Sequence, residues 1–222
     1  MRDAIYAFLL LLISYIGLGS VLVSSQQFVP ESQLIPEQIL ISSTMVIAYS
    51  VVFALFLCAK NLSFAALGIV SVGALRNSFS DKLFITLAGV IIGYVWIINA
   101  WPYIFSEFTI VHPPLTMNFY TLLSVTFSVA FIPICEELFW RGIVTSAIYN
   151  FVGRSGFAIF VSGSLFAAMH FWENSAGIVG VLLRLPISII LTFLYLRTRE
   201  IYTPIIAHVL CNLTAFSVLL IY

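Results

Sequence analysis

The sequence predicts an all-α protein, a bundle of transmembrane helices, and its composition and its apolar runs carry that prediction. Of the 222 residues, 62% are hydrophobic and only 8% are charged, whereas soluble domains carry about 25% charged residues. The mean hydropathy is +1.12. The apolar runs do not alternate with polar residues, so helices that satisfy their own backbone hydrogen bonds are expected rather than barrel strands.

The charge balance argues against nucleic acid as a partner, and the cysteine content argues against a disulfide framework. Nine Lys plus Arg offset nine Asp plus Glu, so there is no basic surplus for nucleic acid and none is expected as a partner. The three cysteines, Cys58, Cys135 and Cys211, are odd in number and lie within apolar runs. A disulfide framework is therefore not expected, and the cysteines are interpreted as small hydrophobic residues.

Apolar runs long enough to cross a bilayer give the number of helices. A hydrocarbon core about 30 Å thick requires roughly 20 apolar residues per helix. The run 4–23 is longer than the apolar core of a signal peptide, so an uncleaved membrane helix is expected there. Glycines and charges interrupt the segment 60–82, which favours a helix at the membrane surface over a span. The clear spans are 4–23, 38–59, 83–105, 155–171, 178–196 and 201–222.

The stretch 119–150 decides between seven and eight spans, because it carries Pro133, Glu136, Glu137 and Arg141 in its middle. Taken as one long, bent crossing, it places every Lys and Arg of the connections on the cytoplasmic side, as the positive-inside rule favours. Taken as two crossings, it divides the same residues between the two sides. Seven spans with the N-terminus inside are therefore predicted, and eight remain the alternative. The basic residues of the connections, which this prediction places on the cytoplasmic side, are Arg2, Lys60, Arg76, Lys82, Arg154, Arg197 and Arg199.

Ionisable side chains within the predicted spans are confined to the last four spans. A charge at the bilayer centre costs at least about 2.5 to 3.5 kcal/mol, so each such residue requires a reason. The chain is therefore divided into N-terminal membrane helices with their connecting segment, residues 1–117, and a four-helix core that contains all these ionisable residues, residues 118–222. The residues concerned are Glu136, Glu137, Arg141, His170, Arg184 and His208, with Asn212 as a polar companion.

Helical spacing separates the two adjacent glutamates. Glu137 and Arg141 are four residues apart, so they share a helix face and are expected to form an ion pair. Glu136 lies roughly 100° around the axis from Glu137 and should face a different neighbour. A carboxylate that is not neutralised by the arginine is suited to act as a general base or acid.

Two further pairs share a helix face in the same way. Phe166 and His170 are four residues apart, as are His208 and Asn212. Two imidazoles, an amide and a glutamate from three helices can activate water on a carbonyl and stabilise the resulting oxyanion. Taken singly, each pair is as readily explained as a buried structural contact. Arg184 has no partner that the sequence identifies, and a structural role or a helix-end position is its simplest interpretation.

Three motifs, in this order, resemble those of the CPBP family, also called Abi proteins, which comprises type II CAAX prenyl endopeptidases and bacteriocin-processing enzymes. EELFWRG at 136–142 fits EExxxRG, FAAMH at 166–170 fits FxxxH, and HVLCN at 208–212 fits HxxxN. Each motif alone is weak, but all three are intact and lie on successive membrane segments. The resemblance covers about residues 131–215, and no motif covers the first three spans.

The resemblance implies an intramembrane endopeptidase that hydrolyses a peptide bond of a membrane-associated protein or peptide. It implies that Glu136 activates a water molecule, that His170 and His208 bind or polarise the water and the substrate carbonyl, and that Asn212 donates to the oxyanion. A peptide or lipidated protein is then the expected substrate, in contact with membrane lipids. The residues that would support this site are Glu137, Arg141 and Phe166.

The family has been described both as metalloproteases and as metal-independent glutamic proteases. If a zinc ion is bound, Glu136, His170 and His208 are the ligands that this chain offers. Because the chain lacks the HExxH spacing of many zinc proteases, no cofactor is expected. The expected location is multi-pass, in the cell membrane of a prokaryote or the endoplasmic reticulum of a eukaryote.

Two other functions use the same residues. A proton-coupled transporter or channel would use the buried carboxylate and histidines to relay ions, and a catalytically silent immunity or binding protein would keep the fold alone. The predicted spans also place His170 near the outer end of its helix and His208 about 13.5 Å along its helix from Arg199, on the cytoplasmic side. The two histidines must lie at a common depth if they share one site.

Overall fold

The computed structural model describes residues 37–60, 82–105, 119–171 and 177–221, and within these residues the chain is helical with short turns and no strand. The predicted first span, 4–23, and most of the predicted surface segment, residues 61–81, lie outside the described residues. The helices are α1 (Glu37–Lys60), α2 (Lys82–Phe105), α3 (residues 119–152), α4 (Ser155–Ala168), α5 (Gly177–Thr198) and α6 (Tyr202–Ile221).

The observed helix bounds agree closely with the predicted apolar runs. Two helices are long and apolar enough to cross a membrane, Leu122–Val152 and Gly177–Thr198, and four shorter apolar helices accompany them in the described part of the chain. This arrangement is consistent with a helical membrane protein. The number of seven spans and their orientation stay predictions.

The stretch 119–150, which left seven or eight spans open in the sequence, lies within one continuous helix, α3. Within α3, α-helical segments alternate with two π-helical segments, Phe127–Phe131 and Leu138–Thr145. Pro133 lies near the start of the α-helical segment between them. A π-helical turn is wider than an α-helical one and is frequent at functional sites. The helix thus passes its proline and its charges without breaking into two.

Short turns join α3, α4, α5 and α6. Gly153 ends α3 in the left-handed conformation, at a φ of 72°, and its N–H donates to the Tyr149 carbonyl. Glycine takes this conformation without the steric cost of a Cβ. Arg199, at the α5–α6 turn, also has a positive φ of 59°, and its guanidinium lies 4.2 Å from the centre of the Tyr149 ring. The contact of Arg199 with Tyr149 brings the α3–α4 turn and the α5–α6 turn together.

Helices α4 and α5 approach each other closely at Gly163. A Cβ on this residue would lie 3.1 Å from Ile189 Cγ1 and 3.3 Å from the Ile189 backbone nitrogen. The Ser188 hydroxyl donates to the Gly163 carbonyl at 2.7 Å. Small residues allow this kind of backbone approach between membrane helices. The close contact fixes α5 against α4 next to the polar core of the molecule, which consists of the buried side chains Glu136, Glu137, Arg141 and His208.

Apolar packing surrounds that polar core. One buried cluster joins α1, α3 and α4 around Trp140 and Phe166, and a second joins α2, α5 and α6 around Ile91 and Leu191. Large apolar side chains also point outward from the helices, as expected where lipid replaces water. Examples are Val51, Ile85, Val90, Phe157, Phe160 and Leu182.

Candidate active site

Two adjacent glutamates lie in the middle of α3. Glu136 and Glu137 end the α-helical segment Ile132–Glu137, and the second π-helical segment begins at the next residue. Their exposed fractions are 5% and 0%. Glu137 Oε1 lies 2.9 Å from Arg141 Nη1, and both side chains are fully buried. The structure therefore contains the ion pair that the spacing of these residues predicts.

His208 on α6 connects the two glutamates. Its Nδ1 lies 2.8 Å from Glu137 Oε1, and its Nε2 lies 3.8 Å from Glu136 Oε2. Because an ionised carboxylate only accepts hydrogen bonds, Nδ1 must carry the proton of this contact. In the neutral ring, Nε2 is then an acceptor that faces Glu136. The result is a row of carboxylate, imidazole and carboxylate, in which Glu137 sets the orientation and the tautomer of His208.

The dual role of Glu137 was not predicted from the sequence. Spacing along one helix identifies Arg141 as its partner, but the partner on α6 is set by how two distant helices pack. The same oxygen, Oε1, faces both Arg141 and His208. Glu137 thus neutralises one side chain and positions another.

Phe166 on α4 is the apolar centre of the site. The Arg141 guanidinium carbon lies 4.4 Å from the centre of its ring, close enough for a cation–π interaction. The His170 and His208 rings meet it edge to face, with centroids 4.9 and 5.8 Å away. Both histidines therefore contact one ring, and the depth mismatch of the predicted spans is resolved by how α4 and α6 pack.

His170 lies in the short 3-10 turn, residues 169–171, that directly follows α4. Its Nδ1 lies 3.0 Å from the Phe166 carbonyl oxygen. A carbonyl only accepts, so Nδ1 carries the proton here as well, and Nε2 of the neutral ring is an acceptor. Both histidines therefore have the same tautomer, set by a different partner in each case.

Asn212 on α6 donates through Nδ2 to the Ser128 carbonyl at 2.9 Å. The π-helical winding explains why this carbonyl accepts a side-chain donor. The N–H of Ile132 bonds to the Phe127 carbonyl, five residues back, so the next donor in the series would be residue 133. That residue is a proline and has no N–H. Asn212 supplies the donor that Pro133 lacks, and its amide has a second N–H hydrogen.

Hydroxyl groups that the sequence analysis did not single out connect α3 to its neighbours. Ser146 contacts the Tyr195 hydroxyl at 2.8 Å, and Thr145 contacts Ser162 at 2.6 Å. Ser and Thr commonly link membrane helices in this way. No periodicity in the sequence distinguishes these residues from other small polar ones, so their positions in the fold identify them.

A cavity of about 360 Å³ opens beside the histidines. Its polar lining comes from His170, His208, Asn212 and Arg184, and the rest is apolar. This volume falls within the range of small-molecule and cofactor sites. Glu136 is not among the lining residues, but its Oε2 lies 3.8 Å from Nε2 of His208, which is one of them. The structure thus places Arg184, whose role the sequence did not identify, in the same cavity as four predicted site residues, Phe166, His170, His208 and Asn212.

The donor geometry bears on the alternative of a bound metal. In the described ranges of the chain, no three His, Cys, Asp or Glu side chains are grouped so that they could hold one metal ion. Nδ1 of His208 bonds to Glu137, and Nδ1 of His170 faces a carbonyl. The set Glu136, His170 and His208 does not form a ligand cluster in this arrangement. Activity without a metal stays a prediction.

Residues 118–214 match the family model described as Type II CAAX prenyl endopeptidase Rce1-like. The matched segment begins one residue before α3 and ends within α6, so it contains all three motifs and the whole row of carboxylate, imidazole and carboxylate. The match confirms the resemblance that the motifs indicate. Comparison with curated proteins and with solved structures finds no significant match.

Proposed function

We propose that this membrane protein is an intramembrane endopeptidase that cleaves CAAX-type substrates with a water molecule activated by Glu136. The match over residues 118–214 supports a peptidase of this family. The observation that carries the mechanism is the row in which Glu137 orients His208 and His208 Nε2 faces Glu136 at 3.8 Å. In such an arrangement the carboxylate holds the imidazole in one tautomer and orientation, so His208 Nε2 can position a water molecule for Glu136 to deprotonate.

The separation of Glu136 Oε2 and His208 Nε2 suits a bridging water molecule. It exceeds the length of a direct hydrogen bond, and a water bonded to both atoms would span it. Glu136 removes one proton from this water while the water oxygen bonds to the substrate carbonyl carbon. The carbonyl π electrons move to the oxygen, which becomes an oxyanion.

Asn212 stabilises that oxyanion in the proposed mechanism. Its side chain lines the cavity, and its second N–H hydrogen can donate while the first remains on Ser128. The neutral histidines present acceptors at Nε2, so each would donate to an oxyanion only after protonation. Asn212 is therefore a donor that requires no change of charge and is already held in place by its bond to Ser128. A single donor of this kind contributes about 10²- to 10³-fold to a hydrolytic rate.

Collapse of the intermediate completes the reaction. The oxyanion electrons restore the carbonyl, the carbon–nitrogen bond breaks, and the leaving nitrogen takes the proton that Glu136 removed from water. The products are a carboxylic acid and an amine, and Glu136 returns to its carboxylate form. His208 stays oriented by Glu137 throughout, and Arg141 stays paired with Glu137.

Cleavage by purified protein tests this function. A fluorogenic farnesylated CAAX peptide is incubated with the wild type and with Glu136→Gln, which keeps size and hydrogen bonding but removes the base. Cleavage should fall by about 10² or more while thermal unfolding in detergent stays unchanged.

A matched control is Glu200→Gln, which changes a carboxylate in the α5–α6 turn, away from the cavity. This variant should cleave like the wild type. Full activity of Glu136→Gln would exclude Glu136 as the base, and a wild type that cleaves no CAAX peptide would exclude the proposed substrate class.

A further inference from the structure

The cavity beside the histidines has a cationic wall that the proposed hydrolysis does not use. Arg184 is partly buried and lines the cavity together with Leu183 and Ile187 of the same helix. An arginine within an apolar membrane helix is costly and usually marks a functional site. The hydrolytic steps above are complete without it.

The position of Arg184 is fixed by the local structure of α5. Pro186 lies inside this helix and removes one backbone donor. One turn earlier, the Tyr94 hydroxyl of α2 donates to the Leu183 carbonyl at 2.9 Å. A tyrosine from a neighbouring helix therefore braces the turn that carries Arg184, and Arg184 lines the cavity from that turn.

The remaining lining is suited to aliphatic side chains. Val95 and Ile98 of α2, Leu183 and Ile187 of α5 and Ala215 of α6 contribute apolar surface to the same space. A ligand that fills this cavity should therefore be apolar along its length and carry a negative charge at the end near Arg184. A guanidinium binds a carboxylate with two parallel hydrogen bonds, which makes it a specific partner for that group.

We propose that Arg184 binds the C-terminal carboxylate of the substrate while the apolar wall of this cavity holds the last side chains. The inference rests on the proposed function. A CAAX tail ends three residues after its modified cysteine, and three extended residues span at most about 11 Å. The free carboxylate of such a tail thus lies near the bond that is cut. Arg184 would then select a free C-terminus over an internal peptide segment.

Binding of short peptides tests the site without requiring cleavage. The probes are N-acetyl-Leu-Ile-Ala with a free carboxylate and the same peptide as its C-terminal amide, titrated calorimetrically into the purified full chain. The wild type should bind the carboxylate at least 10-fold more tightly. Arg184→Gln should bind both peptides equally, with the affinity of the amide, whereas Arg197→Gln, an exposed arginine of the same helix, should keep the preference.

Three results would overturn the inference: equal binding of both peptides to the wild type, no detectable binding of either, or a preference that survives in Arg184→Gln. A cleavage assay distinguishes failure of the Arg184 inference from failure of the proposed peptidase function. Equal KM values for acid and amide substrates of an active wild type would refute the role of Arg184 alone. A protein that prefers the carboxylate but cleaves no peptide would keep the binding site and refute the peptidase.

Discussion

Glu137→Gln tests the two roles of Glu137 together. The native carboxylate oxygen Oε1 lies 2.9 Å from Arg141 Nη1 and 2.8 Å from His208 Nδ1, in a part of the molecule where the Glu137 and Arg141 side chains have no exposed surface. Glutamine has nearly the same shape but no charge. It leaves the buried guanidinium without its closest counter-charge and offers His208 either an oxygen or an N–H.

The stability loss follows from the burial of the pair. Removing one partner of a buried ion pair typically costs about 3 to 5 kcal/mol. Because the glutamine oxygen can still accept one hydrogen bond, we expect the lower end, a decrease of about 3 kcal/mol in the free energy of unfolding. Cleavage should fall as well, by about 10²-fold, because His208 is no longer fixed in one tautomer.

A double variant separates the charge of Glu137 from its contact with His208. Glu137→Leu combined with Arg141→Leu removes both buried charges, and apolar replacement of a buried pair is often neutral or stabilising. Its unfolding free energy should return to within about 1 kcal/mol of the wild type, while cleavage stays low. Thermal unfolding in detergent and hydrolysis of the farnesylated peptide give the two measurements.

Three outcomes would refute parts of this reasoning. A Glu137→Gln protein as stable as the wild type would show that the Glu137–Arg141 pair does not support the fold. Recovery of cleavage in the double variant would show that His208 needs no carboxylate at Nδ1. A stable but inactive Glu137→Gln, with a fully active Glu136→Gln, would exchange the roles assigned to the two glutamates.

Two further predictions concern helix packing and metal dependence. Gly163→Ala should lower the free energy of unfolding by about 1 to 3 kcal/mol, because its Cβ would meet Ile189 at 3.1 Å. Gly156→Ala, which has nothing within 4 Å of its Cβ, should leave stability unchanged or slightly higher. Equal effects of the two substitutions in thermal unfolding would contradict the close approach of α4 and α5. Prolonged EDTA treatment should leave cleavage intact, and metal analysis should find no stoichiometric zinc. Loss of cleavage that zinc restores would instead assign Glu136, His170 and His208 as ligands.

Features set by residues close together in the chain were predictable. Composition and the length of the apolar runs predicted a helical membrane protein, and the observed bounds of α1, α2 and α4 to α6 follow those runs. The spacing of Glu137 and Arg141 predicted their ion pair, because residues four apart on a helix face the same side. The three motifs predicted the family match over residues 118–214.

Contacts between helices could be identified only from the tertiary structure. Helical periodicity shows which side chains share a face of one helix, but it contains no information on how two helices are rotated and tilted against each other. The contact of His208 with Glu137, the donation from Asn212 to Ser128 and the position of Arg184 in the cavity all depend on that relative placement. The sequence by itself determined which chemical groups are buried in the membrane helices. Packing of α3, α4, α5 and α6 decided which of those groups meet, because only packing fixes the distances between side chains on different helices.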